Sequence, residues 1–321
     1  MQYEYIFGPV MSRRLGRSLG VDCIPFKTCN LNCVYCQLGK TTVHTNSVSE
    51  YISAEKVTAE LVHYLRTDKP DFITLGGSGE PLLNKSIDKI IKCIHELSDI
   101  PVCLITNGVL LADKEVRERA ALAAGDLILP SLDAADEETF SKINKPSADC
   151  PSIHDIVNGL RAYCIDSRSE MRLEIFLLKG INDSGKQLEN IIQAVDFIKP
   201  ACVQLNTICR PVFSLGIYPV ENDVLNIIQG MFSCPAEIIA RQEKTAVVHE
   251  EINTGCAEEA SDAETSAVIG LLKRHPAGYS EIAEGLNISL QKVNAIVGCL
   301  EKNRHVKKHI DNGRLFFSCN N

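Results

Sequence analysis

The sequence contains no tryptophan, and its aromatic residues amount to 10 Phe and 8 Tyr in 321 residues. A core of this size therefore has to be built mainly from aliphatic side chains. No apolar run approaches the roughly 20 residues that a membrane-spanning helix needs, and the first residues lack the apolar core of a signal peptide. These absences predict a cytoplasmic protein without a membrane segment. The remaining composition, 45% hydrophobic and 23% charged, is that of an ordinary globular chain.

An excess of basic residues is also missing, since the formal net charge is −8. The acidic character belongs to the residues before 264, whereas residues 264–321 carry a small positive excess. An acidic body does not attract nucleic acid through its overall field. The positive excess near the C-terminus is too small to require such a partner.

Cysteine, in contrast, is abundant, with 14 residues. Thiols are kept reduced in the cytoplasm, so we do not expect a disulfide framework. The cysteines are instead expected to be free thiols or ligands of a metal or cluster.

Short apolar runs alternate with amphipathic stretches of helix length. In 84–97, isoleucines recur at positions 87, 90, 91 and 94, as one buried helix face requires. Strands that are apolar nearly throughout and separated by helices predict an α/β fold with a parallel sheet. We predict a partial (β/α)6 TIM-like barrel, with an open doubly wound sheet as the alternative, and reactive residues at the carboxyl ends of the strands. The predicted strands are 18–24, 72–75, 102–106, 127–132, 172–178 and 202–208, with a further strand at 237–240, and the predicted helices are 53–66, 84–97, 113–124, 151–166 and 184–198.

The pattern breaks up after residue 241, and three parts are predicted. Residues 1–248 form the barrel, and 249–263 are an acidic linker poor in large apolar residues. Residues 264–321 are predicted to form three helices followed by a hairpin, whose turn is indicated by Asp311-Asn312-Gly313. That order predicts a C-terminal winged helix-turn-helix domain.

The most informative stretch is a CxxxCxxC motif formed by Cys29, Cys33 and Cys36, just after the first predicted strand. Its surroundings are polar, which argues against three core thiols. A structural zinc site and an iron–sulfur cluster both normally use four ligands. Three thiolates would leave one iron of a cluster with an open coordination position. Catalytic metal sites keep such an open position. Three incidental cysteines remain the alternative interpretation.

At this point the sequence resembles the radical S-adenosylmethionine (SAM) superfamily, in which CxxxCxxC follows the first barrel strand and an aromatic residue, here Tyr35, precedes the last cysteine. It is most similar to a branch of iron–sulfur oxidoreductases related to the wybutosine-forming tRNA enzymes. The resemblance covers about residues 5–240. The runs that carry it are GRSLGVD, FKTCNLNCVYCQLGKTT, LGGSGEPLLN, LPSLDA, INKP, LLKGIND and VQLNTICRP.

The resemblance implies that Cys29, Cys33 and Cys36 hold a [4Fe–4S] cluster whose fourth iron is chelated by SAM. It implies reductive cleavage of SAM to a 5′-deoxyadenosyl radical, which abstracts hydrogen from a substrate. The electron would come from a one-electron donor such as flavodoxin or ferredoxin. The cofactor supplies this chemistry, and the protein supplies orientation and exclusion of solvent.

The resemblance also implies which strand-end residues contact SAM. Ser78–Glu80 would approach its amino group, although the family's first glycine is Ser78 here. Turn residues at the next two strand ends would face the ribose and the methionine carboxylate. Basic or amide groups after the fifth and sixth predicted strands would pair with that carboxylate or with an anionic substrate. The simpler alternatives are turn chemistry and surface ion pairs. The implied SAM contacts are Tyr35, Ser78, Gly79, Glu80, Thr106, Asn107, Ser131, Asp133, Lys179, Asn206 and Arg210.

Four later cysteines, Cys202, Cys209, Cys234 and Cys256, lie where some relatives of the superfamily bind an auxiliary cluster. Their spacings match no ligand pattern, so structural thiols are the favoured interpretation.

Two classes of function follow. The first is a radical SAM enzyme whose substrate is an RNA base, a peptide or a small molecule, with RNA or peptide held at the winged helix. The second is an iron–sulfur redox sensor that binds DNA through the winged helix. The strand-end motifs around the barrel favour the enzyme, because a sensor leaves them unexplained.

Overall fold

The computed structural model describes residues 3–122, 126–212, 214–240, 260–311 and 314–320. Its main feature is an eight-stranded sheet with the order β1-β2-β5-β6-β7-β8-β9-β10. The first pair is antiparallel and all later pairs are parallel. The strands are β1 (Ile6–Ser12), β2 (Gly16–Val21), β5 (Phe72–Leu75), β6 (Val102–Thr106), β7 (Leu127–Pro130), β8 (Glu170–Leu177), β9 (Cys202–Thr207) and β10 (Ala236–Ile238), and a separate pair is formed by β3 (Thr28–Cys29) and β4 (Val43–His44).

Helices cover the outer face of this sheet. They are α1 (Ala54–Tyr64), α2 (Ile87–Leu97), α3 (Lys114–Leu122), α4 (Glu137–Ile143), α5 (Ile153–Asp166), α6 (Gly185–Ile198) and α7 (Asn222–Gln229). Strand residues such as Leu19, Ile73 and Leu173 alternate onto this face and are fully buried with the helix isoleucines. Burying each such side chain contributes roughly 1.5–3 kcal/mol relative to exposure. The predicted aliphatic core is therefore present.

The inner face of the sheet is polar over much of its area. Ser18 and Thr74 share a buried hydrogen bond of 2.5 Å across β2 and β5. Asn206 on β9 donates to Glu174 on β8 at 3.2 Å. Because side chains alternate between the two faces of a strand, the same strands supply an apolar outer face and a polar inner one.

The curvature of the sheet is shown by Arg14, in the turn between β1 and β2. Its guanidinium bonds Glu174 on β8 and Gln204 on β9, the latter at 3.3 Å. In a flat sheet β2 and β8 would be about 19 Å apart, four strand spacings. An arginine side chain cannot span that distance, so the sheet is curled around its polar face.

The predicted parallel sheet and its strand–helix units are confirmed. Each of the strands β2, β5, β6, β7, β8 and β9 is followed by a helix of the outer layer, and β10 corresponds to the further strand at 237–240. The elements β1, β3, β4, α4 and α7 were not predicted from the sequence. No described helix has the length and apolar character needed to span a bilayer.

Near the C-terminus, three helices and a hairpin occur in the predicted order. They are α8 (Asp262–Arg274), α9 (Tyr279–Leu286), α10 (Leu290–Lys302), β11 (Val306–Asp311) and β12 (Arg314–Cys319). They enclose their own apolar core, which includes Val268, Ile282 and Phe317. The turn residues Asn312 and Gly313, and linker residues 249–259, lie outside the described residues. The winged-helix assignment stays a prediction, and we refer to α8–β12 as the C-terminal unit.

The C-terminal unit packs against the first strand of the sheet. Val10 of β1 joins the core of the unit. Gly285 of α9 lies so close to β1 that an added Cβ would stand 2.4 Å from the carbonyl oxygen of Pro9. The contact therefore requires a residue without a side chain at this helix position.

We expect Gly285→Ala to destabilise the protein by about 1–3 kcal/mol, since the added methyl group overpacks this contact. Gly298 is the matched control, because it lies in α10 with nothing within 4 Å of an added Cβ. Gly298→Ala should stabilise by about 0.5–1 kcal/mol through helix propensity. Thermal unfolding measures both. Equal effects of the two substitutions would contradict the described packing.

Candidate functional site

The three cysteines of the motif lie in one loop that begins at β3. Cys29 is the last residue of β3, and the amide of Cys36 donates to the carbonyl oxygen of Cys33 at 3.1 Å. Burial raises the pKa of the Cys29 thiol to about 12 and that of Cys33 well above its usual value. Charge repulsion from Cys36 also raises the pKa of Cys29, and repulsion from Cys29 and Cys36 raises that of Cys33.

The sulfur atoms receive N–H donors from the surrounding chain. The amide of Leu31 donates to Cys29 Sγ at 3.4 Å, and Asn107 Nδ2 donates to the same sulfur at 3.6 Å. Asn144 Nδ2 donates to Cys33 Sγ at 3.4 Å. Backbone amides of Leu38 and Gly39 lower the pKa of Cys36, against the larger effect of burial. Such donors stabilise thiolates and are a feature of iron–sulfur sites.

The loop Ser78–Glu80 is bound directly to the start of the cysteine loop. The amide of Lys27 donates to the carbonyl oxygen of Ser78 at 2.6 Å, and the amide of Glu80 donates to that of Thr28 at 3.1 Å. A Cβ at Gly79 would stand 1.9 Å from the Thr28 oxygen. Gly79 is therefore required for the two loops to touch.

The carboxylate of Glu80 is used inside the protein. It accepts hydrogen bonds from Thr106 Oγ1 at 2.6 Å, the amide of Asn107 at 2.8 Å and the amide of Leu82 at 3.0 Å. Glu80 is only 2% exposed, and burial raises its pKa to about 7 although these donors lower it. Glu80 thereby fixes Thr106 and Asn107, whose side chain reaches Cys29, and its contact with the SAM amino group stays a prediction.

Asp133 is a second buried carboxylate, on the other side of the cysteine loop from Glu80. It accepts hydrogen bonds from the hydroxyl of Tyr35, from Asn144 Nδ2 at 2.7 Å and from the amide of Phe176 at 3.0 Å. Burial raises the pKa of Asp133 to about 6. The Tyr35 ring stacks on Phe176 with centroids 3.9 Å apart. Asp133 therefore orients both the aromatic residue of the motif and the amide that donates to Cys33.

Four of the predicted SAM contacts line one crevice beside the cysteine loop. They are Tyr35, Asn107, Ser131 and Asp133, and the crevice has a volume of about 20 Å³. That volume accommodates about one water molecule. The side chains thus close a narrow crevice and do not enclose a cavity the size of SAM.

The structure gives three other predicted residues different partners. Lys179 forms a surface ion pair with Glu221, and Asn206 donates to Glu174 on the inner face of the sheet. Arg210 is buried and binds Glu281 of the C-terminal unit at 2.8 Å. Neighbouring carboxylates thus bind all three groups, and their contacts with SAM or an anionic substrate stay a prediction.

The sequence analysis gave no role to Asn30, Asn144 or Phe176. Asn144 belongs to the INKP run, but an asparagine at a helix end carries no signal of a sulfur contact. Asn30 is completely buried and accepts a hydrogen bond from Asn107 at 2.6 Å. These residues were missed because their partners are distant in the sequence.

Two of the described later cysteines, Cys202 and Cys209, have separate hydrogen-bond partners. Cys202 donates to a backbone carbonyl oxygen, and Cys209 accepts a hydrogen bond from Arg13 at 2.8 Å. Cys256 lies outside the described residues. Over the described ranges, no three His, Cys, Asp or Glu side chains converge as a single metal ion would require.

The sequence pattern of the radical SAM superfamily matches residues 23–194, which is more than half of the chain and contains the cysteine loop, Glu80 and Asp133. The chain belongs to the radical SAM superfamily. It is 30% identical over 320 residues to UPF0026 protein MJ1312 of Methanocaldococcus jannaschii, covering 98% of this chain and 95% of that protein.

Two other similarities are narrower in what they show. The chain is 36% identical over 326 residues to "GTPase Obg" of Brachyspira hyodysenteriae, but it spans only 46% of that protein. The structure of TYW1 with a bound lysine–pyruvate adduct superposes with a TM-score of 0.52 at 16% identity, over 67% of this chain and 72% of TYW1. That likeness shows the fold alone.

Members of the radical SAM superfamily bind a [4Fe–4S] cluster and SAM. The donor set of the cysteine loop fits such a cluster, since three thiols lie in one loop and two of their sulfurs receive N–H donors. In a cluster each thiolate binds a different iron, so the sulfurs need not converge on one point as they do around a single ion. Binding would also favour the thiolates that burial disfavours in the free protein.

We expect Asn144→Ala to make the midpoint potential of the cluster more negative, because the variant loses an N–H donor to Cys33. A hydrogen bond of about 1 kcal/mol corresponds to about 40 mV for one electron. A redox titration followed by electron paramagnetic resonance measures the shift. Asn158→Ala is the control, since Asn158 is exposed and bonds only to His154 among the described contacts. An unchanged potential in Asn144→Ala would contradict the assignment.

Proposed function

We propose that this protein cleaves SAM reductively at a [4Fe–4S] cluster held by Cys29, Cys33 and Cys36, and abstracts hydrogen from a small-molecule substrate. When bound, the cluster supplies one electron to SAM, whose C5′–S bond breaks to give methionine and a 5′-deoxyadenosyl radical that abstracts the hydrogen atom. The single observation that carries the proposal is the cysteine loop, with N–H donors on its sulfurs and two buried carboxylates behind it.

The chain's own groups hold this loop in place. Glu80 fixes Asn107, which donates to Cys29, and Asp133 fixes Asn144, which donates to Cys33. A buried carboxylate with three donors does not move without losing them, so both amides stay pre-organised. We assign Glu80 and Asp133 to this positioning role.

Contacts with SAM are proposed for the groups at the mouth of the crevice. Tyr35, Asn107 and Ser131 all line it, and amide and hydroxyl groups suit a ribose or a carboxylate. Ser78 and Gly79 approach the cysteine loop through their backbone. Their proposed part is to shape the edge on which SAM lies.

A one-electron donor of the flavodoxin or ferredoxin type is proposed as the partner. Phe26 and Val43, on either side of the cysteine loop, are 40% and 48% exposed. Exposed apolar side chains next to a redox site favour transient docking of such a donor.

Two predictions about organisation are retained as proposals. The catalytic part is residues 1–248, and residues 249–263 link it to the C-terminal unit, 264–321. Separate apolar cores support this division. The DNA-binding sensor is not retained, because the superfamily to which the chain belongs consists of enzymes.

The test is made anaerobically on protein reconstituted with iron and sulfide and reduced with dithionite in the presence of SAM. Wild type should form 5′-deoxyadenosine, measured by mass spectrometry, and Cys33→Ala should fall to background because the cluster loses a ligand. Cys299→Ala is the matched control, since Cys299 is an exposed thiol on α10.

Two outcomes would sink the proposal. One is a wild-type protein that assembles and reduces a cluster but forms no 5′-deoxyadenosine. The other is full product formation by Cys33→Ala.

A further inference from the structure

A second cavity, distinct from the crevice beside the cysteine loop, lies on the polar inner face of the sheet. Its volume is about 200 Å³. One wall is formed by the turn between β1 and β2, another by inner-face residues of the sheet, and a third by the C-terminal unit. Its lining includes Arg13, Arg14, Arg210, Arg274 and His275, with Gly76 and Gly77 at the side nearest Ser78–Glu80.

All charged side chains that line this cavity are arginines. Three of the four are already neutralised by carboxylates that lie outside the lining. Arg14 binds Glu174 and Arg274 binds Asp22. Arg210 binds both oxygens of Glu281, at 2.8 and 3.1 Å.

Arg13 is different. Among the described residues, no carboxylate lies within salt-bridge distance of its guanidinium. Its hydrogen bond goes to the sulfur of Cys209, a weak acceptor, at 2.8 Å. Several N–H donors of Arg13 are therefore left for a ligand, in the planar arrangement that fits a carboxylate or a phosphate.

His275 adds a second group without a partner. Its Nε2 atom is buried and has no hydrogen-bond partner in the described structure. Burial lowers the pKa of His275 well below its usual value, and Arg210 and Arg13 lower it further. The imidazole is therefore neutral, and its effect on Arg13 and Arg210 is not repulsive. A buried polar atom without a partner costs free energy unless a bound molecule or water satisfies it.

We propose that this cavity binds a small organic anion, which is the substrate of the enzyme, through the guanidinium of Arg13 and the imidazole of His275. The assignment of the anion as substrate rests on the proposed function. Gly76 and Gly77 line the cavity and continue directly into Ser78–Glu80, which touch the cysteine loop. A molecule held here adjoins the place at which the radical is formed.

The same contacts argue against a macromolecular substrate. The C-terminal unit is tied to the two ends of the sheet order, through Arg274 and Asp22 just after β2, and through Arg210 and Glu281 just after β9. It thereby contacts both sides of the curled sheet. Displacing the C-terminal unit to admit an RNA or peptide would break these partly buried ion pairs, which is costly. A cavity of about 200 Å³ suits a molecule of metabolite size.

The test measures anion binding to the reconstituted, oxidised protein without reductant. Inorganic phosphate and malonate serve as probes, and the shift in unfolding temperature is followed with concentration. Wild type should show saturable stabilisation. Arg13→Gln, which removes the charge, and His275→Leu, which removes the N–H donor, should each raise the apparent Kd about tenfold or more. Arg13→Lys, which keeps the charge, should recover part of the binding.

Arg168→Gln is the control, since Arg168 is exposed and does not line the cavity. Three outcomes would overturn the proposal: no saturable effect of either probe on wild type, equal effects on wild type and Arg13→Gln as for an adventitious ion only, or stabilisation by total tRNA without any by phosphate. Because no reductant is present, a failure of SAM cleavage would leave this result unaffected, and loss of anion binding would leave the cluster in place.

Discussion

The geometry of the site depends on two carboxylates buried behind the cysteine loop. Removing Glu80 and Asp133 from water is unfavourable, as their raised pKa values record. Three donors compensate each of them, and those donors are groups that shape the site: Asn107 on one side, Tyr35 and Asn144 on the other. The cost of burial therefore enforces the arrangement, because any shift of the loop would leave a carboxylate without its donors.

The sheet could be predicted from the sequence because its strands are buried and apolar. The spacing of apolar residues and the length of each apolar run are enough to recognise such strands. β1 was missed because it is an antiparallel edge strand of mixed burial that contains Gly8 and Pro9. The cysteine motif could be predicted because its spacing is local. The internal hydrogen bonds of Glu80 and Asp133 could not be predicted. An acidic residue after a strand gives the same sequence pattern whether its carboxylate faces a ligand or three internal donors.

Arg210 illustrates the same limit at longer range. A basic residue at a strand end predicts an anion site, and the arginine does line one cavity. Its guanidinium is nevertheless bound to Glu281, 71 residues further along the chain. A single sequence holds no signal for that pairing. For the same reason, no role could be predicted for Arg13, which lies in the turn before the first parallel strand.

Asp22 and Arg274 are separated by 252 positions, yet they join one edge of the sheet to the C-terminal unit. During synthesis from the N-terminus, the cysteine loop and the strands around it are complete long before α8 emerges. Until α8 is made, Asp22 has no arginine partner from the C-terminal unit. This flank of the barrel therefore reaches its final packing only after the cysteine loop has formed.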